Sequence, residues 1–511
     1  MKRITALCMC ILLSISLWGC GVKTDENPVV LDTALPKNDG KMRLIITQDG
    51  EVDDRNSLIH TLLYANDIDI EGIVQTSSVL HYSGDENVKS KRWMGTDWMY
   101  ELLDAYESVY PNLIVHDSDY PTPEMLRAIT AVGNIRYESD MATVTEGSEL
   151  IKEVFLKDDP RPLFVVIGGG SNTVARALMS IQEEYEHTED WEDLHNHISE
   201  NVILIAFGEQ DRCYQEYILP NWQKIRMIDI TGAALAYGYR WATVSGLSDE
   251  SRQKMSSNWM IDHLEKNRGA LMDKYVTWGD GTFLFGEDMQ EQYGINEDLL
   301  GNKKLWVGYA YERYDFLSEG DSPAWFVAIP NGLRSNEDLS YGGWYGRYSQ
   351  RAIEGYPEAR YYQAVQGREQ GIAQWIAAIQ SDFAMRASWC VSDSYEAANH
   401  LPVISVKEGN NLVASAGTKV TLHVEVVDPD GNETTIIWYQ YPLGDTYDEQ
   451  LDDEDNNIPI LLNASGKNGE NVSFVIPADA ESGDTIHIIV ECIDEGGTNP
   501  RAYQRIIIRI K

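Results

Sequence analysis

Thr47-Gln48-Asp49-Gly50-Glu51-Val52-Asp53-Asp54 is the stretch whose reading decides the fold. Ahead of it, Met42-Arg-Leu-Ile-Ile-Thr47 is apolar and β-branched, as a buried strand is. Behind it, Leu58, Ile59, Leu62, Leu63 and Ala65 recur at helical spacing and predict an amphipathic helix over 55–65. Asp49, Glu51, Asp53 and Asp54 are thus crowded into a turn where a strand feeds a helix. In open α/β sheets such turns lie at the carboxyl edge of the strands, where ligands bind. Four neighbouring acids repel one another, and a hard cation relieves that repulsion. Calcium, with roughly six to eight oxygen ligands and tolerant geometry, suits clustered Asp side chains. Asp53 or Asp54 has a second explanation, because either can cap the helix. Asp49 is still on the strand side, where capping does not account for it.

The alternation continues outward from this turn. Strands are expected at 69–75, 163–167, 201–207 and 224–230, and helices at 93–106, 121–129, 147–156 and 174–184. That order predicts an α/β, doubly wound open sheet. Gly168-Gly-Gly-Ser-Asn-Thr173 follows one strand. Its glycines allow close approach to a ligand, and Ser171 or Asn172 can cap the next helix. The spacing is neither a phosphate loop nor a dinucleotide fingerprint. Gly208-Glu-Gln-Asp211 follows the next strand, with Asp211 a ligand or a cap. Residues 249–293 read as mainly helical. Glu319-Gly-Asp-Ser-Pro323 comes late, with Asp321 either a ligand or a turn residue before proline. Trp325, Tyr341, Trp344, Tyr345 and Tyr348 gather around glycines. They form an aromatic subcore or, through Trp344, the wall of a sugar pocket.

Residues 401–511 change character. Short alternating strands are expected at 403–406, 419–427, 434–441, 471–476, 485–492 and 504–510, separated by turns such as Asp428-Pro-Asp-Gly431. This predicts an immunoglobulin-like β-sandwich, reached through a linker over 393–400. Of Trp438 and Tyr439, one should face the core and the other is open to a glycan surface. Residues 445–457 form an acidic excursion.

At the other end, residues 1–20 read as an export signal, with Lys2 and Arg3 before an apolar run. The run ends Leu17-Trp18-Gly19-Cys20, which resembles the lipobox of bacterial lipoproteins. The resemblance implies that Cys20 is lipidated and becomes the mature N-terminus, in the cell envelope of a Gram-negative-type bacterium. Residues 21–41 are expected to be a flexible tether and 42–392 the large domain. The membrane is then a partner only through the lipid. The formal net charge of −40 argues against a nucleic-acid polymer and leaves neutral sugars and cations as partners. Cys213, Cys390 and Cys492 are too far apart for a disulfide framework or zinc spacing, and buried thiols are expected.

The strand, the D-x-x-x-D-D spacing of Asp49, Asp53 and Asp54, and the apolar helix resemble the nucleoside-hydrolase signature D-x-D-P-G-x-D-D. Thr47 stands where the first Asp belongs, and Gly50-Glu51 replace Pro-Gly. The fuller run from TQDGEVDD through LLYANDIDIEGIVQTSS, with EGDSP and IPNGL, resembles a divergent branch described as cellulose-binding bacterial proteins. The resemblance implies that Asp49, Asp54, Asp321 and the Ile167 carbonyl hold Ca2+. It makes Asp49 the general base and Asp53 a sugar ligand, with Gln210 and Asp211 as further substrate contacts, to which the residues themselves add Glu319 and Trp344 as candidates. Gly320 falls where that family has a histidine near the leaving base. The implied activity is a calcium-dependent, glycosidase-like hydrolysis of an N-glycosidic or other pentofuranosyl bond in a small molecule or glycan. The alternative is a non-catalytic glycan-binding lipoprotein that keeps the fold.

Overall fold

The computed structural model of the protein describes residues 32–287, 292–304, 306–365, 370–447, 460–466 and 468–511. The export segment, Cys20 and most of the acidic excursion lie outside the described residues.

The large domain is built on one eight-stranded sheet. Its strands are β1 (Met42–Gln48), β2 (Ile68–Gln75), β3 (Thr130–Val132), β4 (Leu163–Gly168), β5 (Val202–Ala206), β6 (Arg226–Asp229), β7 (Tyr348–Ile353) and β8 (Tyr356–Ala364). They lie in the order β3-β2-β1-β4-β5-β6-β8-β7. All pairings are parallel except β7 with β8 at the edge. The chain moves from β1 outward to β2 and β3, then returns to β4 on the other side of β1. The order therefore reverses beside β1, and the carboxyl ends of β1 and β4 border the crevice this creates. Every residue of β1 and β4 is buried, as expected of strands covered on both faces.

The helix after the acid turn is α1 (Val52–Leu62), starting three residues earlier than its apolar spacing predicts. Residues 249–293 depart further from expectation. They form only short turns of helix, Asp249–Lys254, Ser257–Met260, Ile261–Glu265 and Gly269–Met272, before an irregular excursion. Gly269, Gly279, Gly281 and Gly286 all have positive φ, which a continuing helix does not accommodate. The β7–β8 hairpin is not among the strands expected from sequence.

The C-terminal strands are β9 (Val403–Val406), β10 (Asn411–Ala414), β11 (Lys419–Val427), β12 (Thr434–Gln440), β13 (Asn463–Ser465), β14 (Asn471–Val475), β15 (Thr485–Asp494) and β16 (Arg501–Ile510). They form two four-stranded sheets, β10-β16-β15-β12 and β13-β14-β11-β9. Leu422, Val424, Phe474, Ile488, Val490, Ile506 and Ile508 fill the space between them. The three body cysteines are free and buried. Among the described residues no helix is long and apolar enough to cross a membrane.

The sandwich is docked on the large domain. Ile489, Tyr503 and Tyr441 belong to the large domain's apolar core, so β15 and β16 are buried on both faces. Trp438 packs inside the sandwich and Tyr439 packs against the large-domain core, so neither ring is a free glycan platform. Arg505 is fully buried. Its guanidinium donates to the Tyr341 and Gly342 carbonyls at 2.7 and 2.8 Å and lies 4.8 Å from the centre of the Tyr441 ring. The IPNGL stretch supplies the matching edge, where the Arg505 N–H donates to the Gly332 carbonyl at 3.0 Å. Gly332 has φ +81°, and a Cβ there would lie 1.9 Å from the Tyr503 carbonyl oxygen.

Gly332→Ala should therefore destabilise the protein by at least about 2 kcal/mol more than Gly355→Ala, judged by urea midpoints. Gly355 has a similar φ of +86° but open space around its missing Cβ. Equal losses would show that the interdomain contact contributes nothing.

Candidate functional site

Asp49 lies just past the carboxyl end of β1, and Asp53 and Asp54 occupy the first turn of α1. Asp54 Oδ2 accepts from the backbone N–H groups of Gly50 (3.0 Å) and Glu51 (3.1 Å), so one of its oxygens closes the turn. Its Oδ1 is buried and has no donor among the described residues. Asp49 divides its oxygens the same way. Oδ1 accepts from Glu51 N–H at 3.3 Å, and Oδ2 has no hydrogen bond. Turn closure and ligand presentation are thus served by different oxygens of the same carboxylates.

Asp321 reaches this turn because α1 carries a second, polar face. Asp53, Asn56, Ser57 and His60 follow helical spacing and are all buried. The Asn56 side-chain amide donates to the Ser318 and Val276 carbonyls at 3.2 and 2.9 Å. Ser57 Oγ accepts from Ser322 Oγ and Trp325 Nε1 at 3.0 and 3.1 Å. His60 Nδ1 meets Glu319 Oε2 at 2.7 Å. These bonds hold residues 318–322 along α1 and bring Asp321 to the end of β4. Gly168 marks the meeting point. A Cβ there would lie 2.5 Å from Asp54 Oδ1 and 3.2 Å from Asp321 Oδ1, so only glycine leaves both carboxylates their place. Asp321 Oδ1 also has no hydrogen-bond partner. The Ile167 carbonyl, on the β5 side of β4, accepts a long bond from Phe207 N–H at 3.4 Å, leaving its second lone pair.

Burial governs the electrostatics. Asp49, Asp53, Asp54 and Asp321 are each at most 3 % exposed. Burial, then the Asp49 charge, pushes Asp53 up to about 6. Burial, then Asp321 and Asp49, holds Asp54 well above the usual carboxylate range. Burial, then Asp53 and Asp49, does the same to Asp321. Asp49 is the exception. Burial raises it, but the charge of the neighbouring His81 outweighs this and brings it down to about 2. Asp49, Asp54 and Asp321 thus each keep one buried carboxylate oxygen without a hydrogen bond.

Among the residues named from sequence, Asp49, Asp53, Asp54 and Asp321 come together, Ile167 lines the neighbouring cleft with Gln210 and Asp211, and two others join neither group. Glu319 is fully buried behind the site, its oxygens taken by His60, Tyr275 (2.5 Å) and Ser322 (2.6 Å). It anchors the Asp321 loop rather than facing a ligand. Trp344 is 2 % exposed and sits in the core beside Phe326, so it lines no pocket. Asp211 is divided: Oδ1 accepts from Ser171 Oγ (2.9 Å) and Cys213 N–H (3.1 Å) as a cap, while Oδ2 has no donor. Asp211 and Gln210 line a small cleft of about 10 Å3 at the ends of β4 and β5. His81, Glu287, Ser318 and Phe207 were missed. His81 Nδ1 lies 3.6 Å from Asp49 Oδ2, and its Nε2 lies 3.5 Å from Glu287 Oε1. Ser318 Oγ donates to Asp53 Oδ2 at 3.2 Å. Phe207 walls off Gly320, where a Cβ would lie 2.6 Å from the ring. The 76–81 turn was the available signal for His81; nothing local marked the others.

This fold and its acid turn define a nucleoside-hydrolase-like protein. Residues 43–348 match the family model "Cellulose-binding Sde182, nucleoside hydrolase-like domain", and the chain belongs to that family. Residues 419–510 match "Cellulose-binding protein Sde0182, C-terminal domain". A solved nucleoside hydrolase-related hypothetical protein from Saccharophagus degradans, associated with carbohydrate metabolism, is similar over 92 % of this chain and 100 % of its own. Identity is 26 % and the TM-score 0.67. The type III effector protein XopQ, solved with adenosine diphosphate ribose, shares 9 % identity over 70 % of this chain and 96 % of its own, at a TM-score of 0.34. Among curated proteins no sequence matches.

The raised carboxyls give a signed pH dependence. In metal-free protein, Asp53 keeps a proton that the unfolded chain loses above about pH 4. Its contribution to stability therefore declines as pH rises from about 4 towards its folded value of about 6. Urea midpoints in chelator should show Asp53→Asn gaining on the native sequence across that window. A gain in the opposite direction would refute the assignment.

Proposed function

We propose that this protein is a calcium-dependent, glycosidase-like hydrolase of the cell envelope, acting on a sugar-containing molecule or glycan and anchored through a lipid on Cys20. The observation that supports it best is the approach of Asp54 and Asp321 to one point above Gly168, each with a carboxylate oxygen that lacks a donor. Asp49, Asp54, Asp321 and the Ile167 carbonyl are the residues that would hold calcium, and their all-oxygen donor set fits that ion. When bound, the ion would polarise a water and orient sugar hydroxyls.

The residues then divide the remaining work. Asp49, at the carboxyl end of β1 with one oxygen free of hydrogen bonds, can accept the proton of the attacking water. Asp53, supported by Ser318 Oγ, presents a carboxyl group to a sugar hydroxyl. The buried acids together favour positive charge developing on the sugar ring, as an oxocarbenium-like transition state requires. Gly320, closed in by Phe207, supplies no acid for a departing purine, so the reading turns away from purine nucleosides.

One observation favours the second reading, a glycan-binding protein without turnover. The four acids are at most 3 % exposed, and the cleft at the ends of β4 and β5 offers only about 10 Å3. Sites that engulf a small ligand typically offer roughly 300 Å3 or more.

Turnover separates the two. The mature protein is incubated with nucleosides, cello-oligosaccharides and pentofuranosyl oligosaccharides, with calcium or with chelator. Calcium-dependent sugar release is expected, reduced at least about 100-fold in Asp54→Asn. Retention on cellulose without any product would establish the binder instead. Calorimetry with calcium alone tests the ion site, and unchanged affinity in both Asp54→Asn and Asp321→Asn would exclude it.

A further inference from the structure

We propose that the site holds a second divalent cation, of the transition-metal class, bound by Asp49, Glu51 and His81 and oriented by Glu287. Ligand atoms of Asp49, Glu51 and His81 all lie within 4.8 Å of one another. His81 is fully buried, and neither ring nitrogen has a hydrogen-bond partner. Glu287 is 7 % exposed, and neither of its carboxylate oxygens has one. Five such atoms, with Asp49 Oδ2, lack a hydrogen bond and have only the two long ion pairs of His81 to offset their burial, which is costly unless something else satisfies them.

The spacing agrees with an intervening ion. His81 Nδ1 and Asp49 Oδ2 are 3.6 Å apart, beyond hydrogen-bond range. Two atoms each about 2.0–2.2 Å from a tetrahedral ion are separated by roughly 3.3–3.6 Å. The other ring nitrogen, Nε2, faces Glu287 Oε1 at 3.5 Å. From there a small side-chain shift lets Glu287 accept from Nε2–H, as a carboxylate that fixes the tautomer and tilt of a metal-bound histidine does. Tyr239 donates to Glu51 Oε1 at 3.2 Å and steadies the third ligand.

The donor set separates this site from the one at Gly168. Calcium prefers oxygen throughout, whereas one imidazole with two carboxylates suits zinc, manganese or iron. Three protein ligands leave a coordination position open to solvent or substrate. Asp49 is common to both sites and would bridge the two ions in the manner of paired-metal hydrolytic centres. The second site depends on the proposed function only through that shared residue.

The test uses the mature protein saturated with calcium and titrated with Zn2+ by calorimetry. One zinc per chain is expected, weakened at least about 100-fold by His81→Gln and about 10- to 100-fold by Glu287→Gln. Calcium affinity should be unchanged in His81→Gln, while Asp321→Asn should lose calcium and keep zinc. That crossed pattern lets either site fail without the other. Circular dichroism melts confirm folding of each variant. Should the variants unfold, Co2+ on the native protein decides, because a four- or five-coordinate site gives strong visible bands. Weak six-coordinate bands, no zinc uptake, or loss of zinc in His197→Gln rather than His81→Gln would each overturn the proposal.

Discussion

The buried polar face of α1 is the constraint on which the rest of the molecule depends. A helix in an α/β protein usually shows its polar side to water. Here Asn56, Ser57 and His60 turn inward and bond residues 318–322, a segment roughly 260 residues away in the chain. Burying polar groups is favourable only when each finds a partner, and all of these groups but His60 Nε2 do. The result is a fixed distance between the first acid turn and Asp321. Without that fixed distance, Gly168 would not sit between two carboxylates.

The acids themselves oppose folding. Asp49, Asp53, Asp54 and Asp321 lie together with little access to water, and three of the four hold their protons more tightly than usual. A fold shaped only for stability would fill this volume with apolar side chains. The strain is concentrated at the crevice where the strand order reverses, the position at which open α/β sheets bind ligands. His81 relieves part of it by standing between Asp49 and Glu287, yet at distances too long for direct hydrogen bonds.

The two late motifs divide their roles between site and scaffold. EGDSP carries Asp321 to the crevice and uses Glu319 as its anchor. IPNGL, a few residues on, forms the seat for β16, with Gly332 under the Tyr503 carbonyl and Arg505 capping the carbonyls of Tyr341 and Gly342. The aromatics gathered at 341–348 serve this same junction. That is why Trp344 and Tyr439, plausible sugar platforms in a linear reading, are consumed by packing. The site and the seat of the sandwich therefore share one continuous stretch of chain.

By itself the sequence determined the strand-turn-helix unit at Asp49–Asp54, the alternation of the large domain, the β-rich C-terminal domain and the family. All of these rest on local periodicity or contiguous motifs, which adjacent residues specify. Only the tertiary structure decided that Asp321 stands beside Asp54 while Glu319 does not, and that Trp344 is core. Only it placed His81 and Glu287 beside Asp49 and set Phe207 against Gly320. Each of those depends on which way a side chain points after distant segments have packed, and that is fixed by the buried face of α1 and the docking of β16. A single residue's neighbours in the chain carry no record of such contacts.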